Sequence, residues 1–164
     1  MEKLPGDYIA GFVDGEGCFA LKFVRSVRHE RKNSPTYFYW GLEFAIVLRA
    51  DDKEILEKIK ETLGCGSVSG ANKAGAARFS VSKWDDLSNK ILPFFEKYPL
   101  RAKKQKDYLL WMEALAILIR NKQAKAFKKI AMSEADLSRL QEIHKEMGKF
   151  KSNVKEWKWI GSMT

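Results

Sequence analysis

The chain has 164 residues, of which 45% are hydrophobic and 12% aromatic, and its formal charge is +9. This is enough apolar material for one domain with its own core, too little for two, and it excludes wholesale disorder. The charge indicates an anionic partner, although a basic protein without one is the alternative. Basic residues concentrate in segments 22–32, 97–106 and 120–129, a distribution that favours a polyanion.

The cysteine content and the hydropathy of the chain indicate in which cellular compartment the protein is expected. Cys18 and Cys65 form neither a disulfide framework nor a zinc-ligand spacing. We expect both to be reduced and half-buried, in an intracellular reducing compartment such as a prokaryotic cytoplasm or an organelle matrix. The N-terminus lacks the apolar core of a signal peptide, and the apolar stretch 108–119 is too short to span a bilayer. No membrane role is expected.

The first predicted elements are a helix and a two-stranded ribbon. The helix starts near Pro5 and ends near Gly15, with Gly17 as its C-terminal stop. Apolar and polar residues alternate over 18–24 and again over 37–49, and a polar, basic loop lies between the two stretches. The inward faces of the two strands would carry Phe19, Leu21 and Phe23, and Trp40, Leu42, Phe44, Ile46 and Leu48.

A second helix and a second hairpin follow. Asp51 is predicted to cap the helix, with Glu54 at the reciprocal position of a capping box and Gly64 as the stop. The hairpin is predicted to pair 65–70 with 77–83. Its inward residues would be Val68, Phe79 and Val81.

The remaining predicted elements are helical. Two short helices are expected over 84–89 and 93–98, a long one over 103–121, and a last one capped by Ser133, before a tail with Trp157 and Trp159. The element order αββαββα predicts an α+β fold with an antiparallel sheet. We expect one domain over 1–164, with a core over about 5–120 and a C-terminal helical extension over about 121–164.

The first helix contains the stretch "IAGFVDGEG" at 9–17. Ala10, Gly11 and Gly15 leave one helix face nearly bare of side chains, which allows a second helix to approach closely. Asp14 and Glu16 stand at the end of the helix, where its dipole disfavours negative charge. Their presence there indicates a role other than stabilising the helix.

The motif and its surroundings resemble the LAGLIDADG homing endonucleases, in their single-motif, homodimeric form. The resemblance includes the αββαββα order, "LGCG" at 63–66 and "PFFEKYPLRAKKQKDY" at 93–108. It implies an antiparallel saddle-shaped sheet on double-stranded DNA. It also implies site-specific cleavage of a long pseudo-palindromic site that leaves 3′ overhangs. Mg²⁺ would be the cofactor, Mn²⁺ a substitute, and Ca²⁺ would bind without supporting cleavage.

The same resemblance assigns roles to individual residues. Glu16 would be the catalytic acid and a metal ligand, together with Gly15, while Asp14 would cap or support the helix end. Lys103 would stand near the scissile phosphate, with Lys104 and Lys106 as rivals. Leu48 stands where some members carry a polar glutamine. The dimer interface would consist of Ala10, Gly11, Asp14 and Gly15.

A ribbon in the major groove presents alternate residues to the bases. The predicted DNA-binding residues on the sheet are Lys22, Val24, Ser26, Glu43, Ser67, Ser69, Arg78 and Ser80, and those at the turns, expected to bind phosphate, are Arg28, Arg31, Lys32 and Lys73. Glu43 could accept from cytosine or pair with Lys22 across the ribbon. The alternative functions are an RNA maturase that binds intron RNA and a non-catalytic DNA-binding regulator on the same scaffold.

Overall fold

The computed structural model describes residues 3–34, 36–70, 74–128 and 132–149. Lys73, Trp157 and Trp159 therefore lie outside the described residues.

The first helix, α1, spans Gly6–Glu16 and buries Ile9, Ala10 and Val13. The residue after it, Gly17, has an extended backbone with φ −73° and not the left-handed conformation of a glycine helix stop. A Cβ at this position would lie 2.5 Å from Val13 Cγ1. Gly17 is the C-cap residue of α1, so the predicted stop is confirmed, but glycine is required there for close packing against the last turn of the helix and not for a left-handed conformation.

Four strands form one antiparallel sheet in the order β1-β2-β4-β3, which confirms the predicted α+β class. The strands are β1 (Gly17–Val27), β2 (Thr36–Arg49), β3 (Ser67–Ser69) and β4 (Ala76–Val81). The two long strands extend further into the basic loop than predicted, whereas the second hairpin is shorter.

One face of the sheet forms the core, as the alternation predicted. Phe19 is fully buried and stacks on Phe44 at a ring-centroid distance of 5.1 Å. Trp111 belongs to a helix on that side of the sheet, and its ring centroid lies 5.3 Å from that of Phe19. Phe79 and Val81 continue the same apolar face on β4. The opposite face of the sheet carries the polar and charged side chains.

The second helix, α2, spans Lys53–Leu63 and follows a 3₁₀ turn at Ala50–Asp52. The predicted capping box is wrong: the N-cap residue is Asp52, without a side-chain cap bond. Asp51 instead accepts a 2.7 Å hydrogen bond from Arg49, which occupies its carboxylate. The predicted stop is confirmed, because Gly64 adopts a left-handed conformation with φ 65°.

The predicted pair of short helices is one helical run. It consists of α3 (Trp84–Asp86), a π-helical segment (Leu87–Ile91) and α4 (Leu92–Lys97). Pro93 lies at the start of α4. Proline has no N–H to donate to the preceding turn, and the wider π turn just before it keeps the chain helical across this position.

Two long helices complete the described fold: α5 (Lys104–Lys128) and α6 (Glu134–Gly148). Ser133 caps α6 as predicted and accepts from the Asp136 N–H at 3.2 Å. The Arg139 guanidinium donates to both carboxylate oxygens of Glu113 on α5, at 2.6 and 2.8 Å, and thus ties α6 to α5. Within the described ranges, every helix is too short or too polar to cross a bilayer.

Neither cysteine is half-buried, contrary to the prediction. Cys18 is exposed and Cys65 is buried, and both are free thiols. Cys18 lies on the polar face of β1, whereas Cys65 lies between α2 and β3 and joins the core. Burial raises the pKa of the Cys65 thiol to about 11.

Candidate active site and nucleic-acid interface

Glu16 is the last residue of α1 and is exposed to solvent. Two residues earlier, the Asp14 carboxylate accepts backbone hydrogen bonds from Arg101 at 2.8 Å and from Ala102 at 3.2 Å. Asp14 therefore supports the helix end by binding a distant segment and does not cap α1. These two bonds, here called the Asp14 clamp, join the end of α1 to the turn before α5.

The Asp14 clamp fixes the segment that carries the predicted lysine. Lys103 follows Ala102 directly and is exposed in the turn before α5. Lys104 is the first residue of α5 and is half-buried, whereas Lys106, two residues later, is exposed. The structure thus brings the Glu16 end of α1 and the Lys103 segment to one place. Lys103 is the lysine next to the clamp.

A cleft of about 460 Å³ lies beside Glu16. Its lining includes Leu48 and Arg49 from the end of β2, and Gly75 from the turn before β4. The side chain of Arg49 is 83% exposed. Arg49 was not among the predicted site residues. It could have been found from its position at the end of the strand that follows the basic loop.

The oxygen donors at the end of α1 are suited to a hard divalent cation. Glu16 offers a carboxylate, and Gly15 offers a backbone carbonyl in the last helical turn, where carbonyls lack intrahelical partners. No group of three or more His, Cys, Asp or Glu that could hold a metal is found in the part of the chain that the structure describes.

The outer face of α1 is open. Gly11 and Gly15 are exposed, and a Cβ added at either position would meet nothing within 4 Å. Tyr8 on the same helix is 48% exposed. Ala10 differs from the prediction: it is only 5% exposed and packs inside its own chain, so it leaves almost no surface for a partner.

The predicted DNA-binding residues of the sheet share its polar face. Lys22, Val24 and Ser26 alternate along β1, and the register places Lys22 opposite Gly41. Ser67 and Ser69 are exposed on β3, opposite Ser80 and Arg78 of β4. The strand order therefore joins both hairpins in one continuous surface.

Two tyrosines on this face were missed. Tyr37 and Tyr39 belong to the same alternating row of β2 as Glu43, and they are 45% and 51% exposed. Extending the alternation from Glu43 back to the start of β2 would have found both. They add aromatic rings to an otherwise basic surface.

Glu43 lies in the middle of the polar face and is only 9% exposed. It forms ion pairs with Lys22 of β1 and, at 2.8 Å, with Arg78 of β4. Of the two alternatives left open by the sequence, the structure shows the pairing with Lys22. Burial raises the pKa of Glu43, but hydrogen bonds from both cations outweigh burial, and the pKa lies below its ordinary value of 4.5.

The loop between β1 and β2 carries exposed cations. Arg28, Arg31 and Lys32 are all exposed. Arg28 lies 3.6 Å from Glu30, and Arg31 donates to the Tyr37 hydroxyl at 3.3 Å. These weak contacts at the surface leave the three side chains available to an anionic partner.

Comparison with known proteins identifies the family. A family model described as LAGLIDADG endonuclease matches residues 9–115. This is more than half of the chain, and the chain therefore belongs to the LAGLIDADG endonuclease family.

Curated relatives include "Probable intron-encoded endonuclease 3" of Neurospora crassa, 32% identical over 112 residues, 68% of this chain and 20% of the relative. "Probable intron-encoded endonuclease Cox1-I1b" of Schizosaccharomyces pombe is 30% identical over 111 residues, 68% of this chain and 27% of the relative. The chain thus corresponds to only about a quarter or less of the length of these relatives.

Two solved structures share the fold. The homing endonuclease I-TnaI is 29% identical with a TM-score of 0.72, and the match covers 93% of this chain and 92% of that one. The I-LtrWI LAGLIDADG homing endonuclease bound to target DNA is 28% identical with a TM-score of 0.72. That match covers 94% of this chain but only 47% of I-LtrWI.

Proposed function

We propose that two copies of this chain form a site-specific, Mg²⁺-dependent endonuclease. The dimer would cut both strands of a long pseudo-palindromic DNA target and leave 3′ overhangs. The observation that carries the proposal is the Asp14 clamp. It joins the turn that precedes Lys103 to Asp14, two residues before Glu16, and Glu16 is followed directly by strand β1 of the sheet.

The end of α1 would hold the metal. The Glu16 carboxylate and the Gly15 carbonyl are hard oxygen donors of the kind that Mg²⁺ prefers, with Mn²⁺ as a substitute. A bound divalent cation supplies a polarised water and stabilises the leaving oxygen of a phosphodiester. Ca²⁺ would occupy the site without supporting cleavage.

The neighbouring cations would handle the phosphate and the water. Lys103, in the turn fixed by the Asp14 clamp, would orient the attacking water or stabilise charge that develops on the scissile phosphate. Arg49, in the cleft beside Glu16, would bind an adjacent phosphate. Leu48 lines the same cleft with an apolar side chain, so water there would be held by the charged groups alone.

A second chain would complete the site. The outer face of α1, with Gly11 and Gly15 bare, would pack against its copy and bring two Glu16 side chains together, one for each DNA strand. The half-length match to I-LtrWI supports this arrangement, because one copy of this fold accounts for about half of that DNA-bound chain.

The sheet would read the target. Strand β1 has 11 residues, and at about 3.3 Å per residue it spans roughly ten base-pair steps of DNA. Lys22, Arg78 and the serines of the polar face would contact base edges, and Ser80 lies beside Ser67 in the register. Arg28, Arg31, Lys32 and Lys73 at the turns would bind phosphates. Two copies would cover about twenty base pairs.

The test is cleavage of a randomised DNA library with Mg²⁺, followed by sequencing of the cut ends. We expect enrichment of one pseudo-palindromic site, loss of cutting in Glu16→Gln, and unchanged binding of that site in Ca²⁺. Glu54→Gln is the matched control, because Glu54 is an exposed acid on α2, paired with Lys58. Cleavage by Glu16→Gln at the wild-type rate would contradict the proposal.

The second candidate is binding of intron RNA. Tyr37 and Tyr39 are exposed on a basic surface, an arrangement suited to stacking on unpaired bases. Splicing of an intron RNA that persists in Glu16→Gln and fails in a variant with alanine at both tyrosines would support it. Specific DNA binding by the wild-type protein without any cleavage would instead indicate a regulator.

We also propose an intracellular, reducing compartment, either a prokaryotic cytoplasm or an organelle matrix. Two free thiols, one of them exposed, support this proposal.

A further inference from the structure

The polar face of the sheet contains one buried acid between two exposed cations. The side chain of Glu43 is 12% exposed, whereas those of Lys22 and Arg78 are 49% and 40% exposed. Both cations contact the same carboxylate oxygen, Oε2. The three residues, here called the Glu43 cluster, come from three adjacent strands.

The register explains how the cluster forms. Glu43 pairs with Ala20 and Lys22 pairs with Gly41, so lysine and glutamate are diagonal neighbours across β1 and β2. Arg78 pairs with Val47, two outward-facing positions along β2 from Glu43. Only Ala45 stands between them in that row, and its small side chain allows the arginine to reach the acid.

Both cations retain donors after binding Glu43. An ammonium group has three N–H donors and a guanidinium has five, so a contact with one oxygen leaves most of them free. Both side chains project from the polar face of the sheet, which under the proposed function enters the major groove. Held by one fixed acid, they cannot swing freely towards the phosphates at the groove edge.

We propose that Glu43 is a positioning residue for target recognition: it holds Lys22 and Arg78 over base edges and prevents them from binding phosphates independently of sequence. This inference rests on the proposed function, since it concerns how the same sheet reads DNA. It assigns Glu43 no direct contact with a base. The bases read by the two cations would be acceptors, such as the O6 and N7 atoms of guanine.

Glu43→Gln removes the charge and keeps the shape of the side chain. We expect the preference at the base pairs under Lys22 and Arg78 to fall roughly tenfold to a hundredfold, and the preference elsewhere to persist. Binding to random DNA should strengthen, and its dependence on salt should steepen by about one to two in log–log slope, since freed cations reach phosphates.

The experiment is selection of a randomised duplex library in Ca²⁺ by the full chain, with the preference at each position compared between wild type and Glu43→Gln. Glu30→Gln is the matched control. Glu30 also pairs with an arginine of the basic surface, Arg28 at 3.6 Å, but it lies in the exposed loop. Glu30→Gln should leave the preference at each base-pair position unchanged.

A second comparison separates positioning from direct contact. In a Lys22→Gln, Arg78→Gln background, adding Glu43→Gln removes an acid that has lost both partners, and this change should not impair folding. If Glu43 acts only through the two cations, the profiles of the double and triple variants will coincide. A further change in the triple variant would show that Glu43 reads a base itself and would overturn the proposal.

The selection distinguishes failure of the proposed DNA recognition from failure of the role proposed for Glu43. If wild type enriches no sequence, the proposed function fails and the role of Glu43 fails with it. If wild type enriches a site and Glu43→Gln keeps the same profile, or loses preference evenly at all positions, only the role of Glu43 is overturned.

Discussion

Three glycines lie in or just after α1, and substituting them distinguishes packing between two subunits from packing within one subunit. Gly11 and Gly15 have open space around them in a single chain, so alanine fits at both positions. At Gly17 a Cβ would lie 2.5 Å from Val13 Cγ1 and 2.7 Å from the Val13 carbonyl oxygen. The proposed dimer requires the first two glycines, whereas the fold of each subunit requires the third.

Gly11→Ala should have opposite effects on the stability of a single subunit and on the affinity of the dimer. Glycine to alanine in the interior of a helix stabilises by about 0.8–1 kcal/mol, so Gly11→Ala should make a single subunit slightly more stable. In a tight helix seam an added methyl group costs about 1–3 kcal/mol, and two-fold symmetry doubles that cost to about 2–6 kcal/mol. The dimer dissociation constant should therefore rise by a factor of about 30 or more.

Sedimentation equilibrium over a range of concentrations measures this change directly. Denaturant unfolding is measured in parallel, at concentrations where the protein is monomeric, so that association does not contribute to stability. We expect Gly11→Ala and Gly15→Ala to fold normally and dimerise poorly. Gly17→Ala should instead lower the free energy of unfolding.

If Gly11→Ala and Gly15→Ala dimerise as tightly as the wild type, the outer face of α1 is not the subunit interface. A loss of folding stability in these two variants would contradict the open geometry around both glycines.

Three further predictions concern side chains described above. Asp14→Asn replaces an acceptor of two backbone N–H groups; we expect it to cost about 1–3 kcal/mol in unfolding free energy and to lower single-turnover cleavage about a hundredfold, with target binding in Ca²⁺ retained. In thiol labelling at pH 8, Cys18 should react at once and Cys65 only on unfolding, because burial raises the pKa of Cys65 to about 11; equal rates would contradict the placement of Cys65 in the core. The folded-state pKa of Glu43 is lowered, so its ion pairs should stabilise the protein above about pH 4.5 and lose this contribution as the pH falls further. The gap in unfolding free energy between wild type and Glu43→Gln should close in acid, and a gap independent of pH would refute this assignment.

Local patterns in the sequence predicted the elements and the two faces of the sheet. Alternation assigned Phe19 and Phe44 to the core and Lys22 to the opposite face, because a strand turns successive side chains to opposite sides. The end of α1 was predicted to within one residue, since small and apolar residues give way there to acids and glycine. The capping box failed because Asp51 lies inside the 3₁₀ turn Ala50–Asp52, so that α2 begins later and Asp52 is its N-cap residue.

Contacts between residues that are far apart in the chain could not be predicted from the sequence. The partners of Asp14 lie 87 and 88 positions further along the chain, and no local pattern connects them. The ion pair between Glu43 and Arg78 depends on β2 and β4 being neighbours, which requires the strand order of the sheet. The roles of Arg49, Tyr37 and Tyr39 depend in the same way on which elements meet.

The Asp14 clamp also has a consequence for synthesis of the protein on the ribosome. The helix that carries the acid and all four strands precede residue 82, whereas the clamp needs Arg101 and Ala102. A growing polypeptide therefore contains the residues of these four strands before the turn with Lys103 has been synthesised. Under the proposed function, a product that ends before residue 101 would lack the Lys103 turn and α5, whose Trp111 packs on Phe19 in the core, and it would not cut DNA.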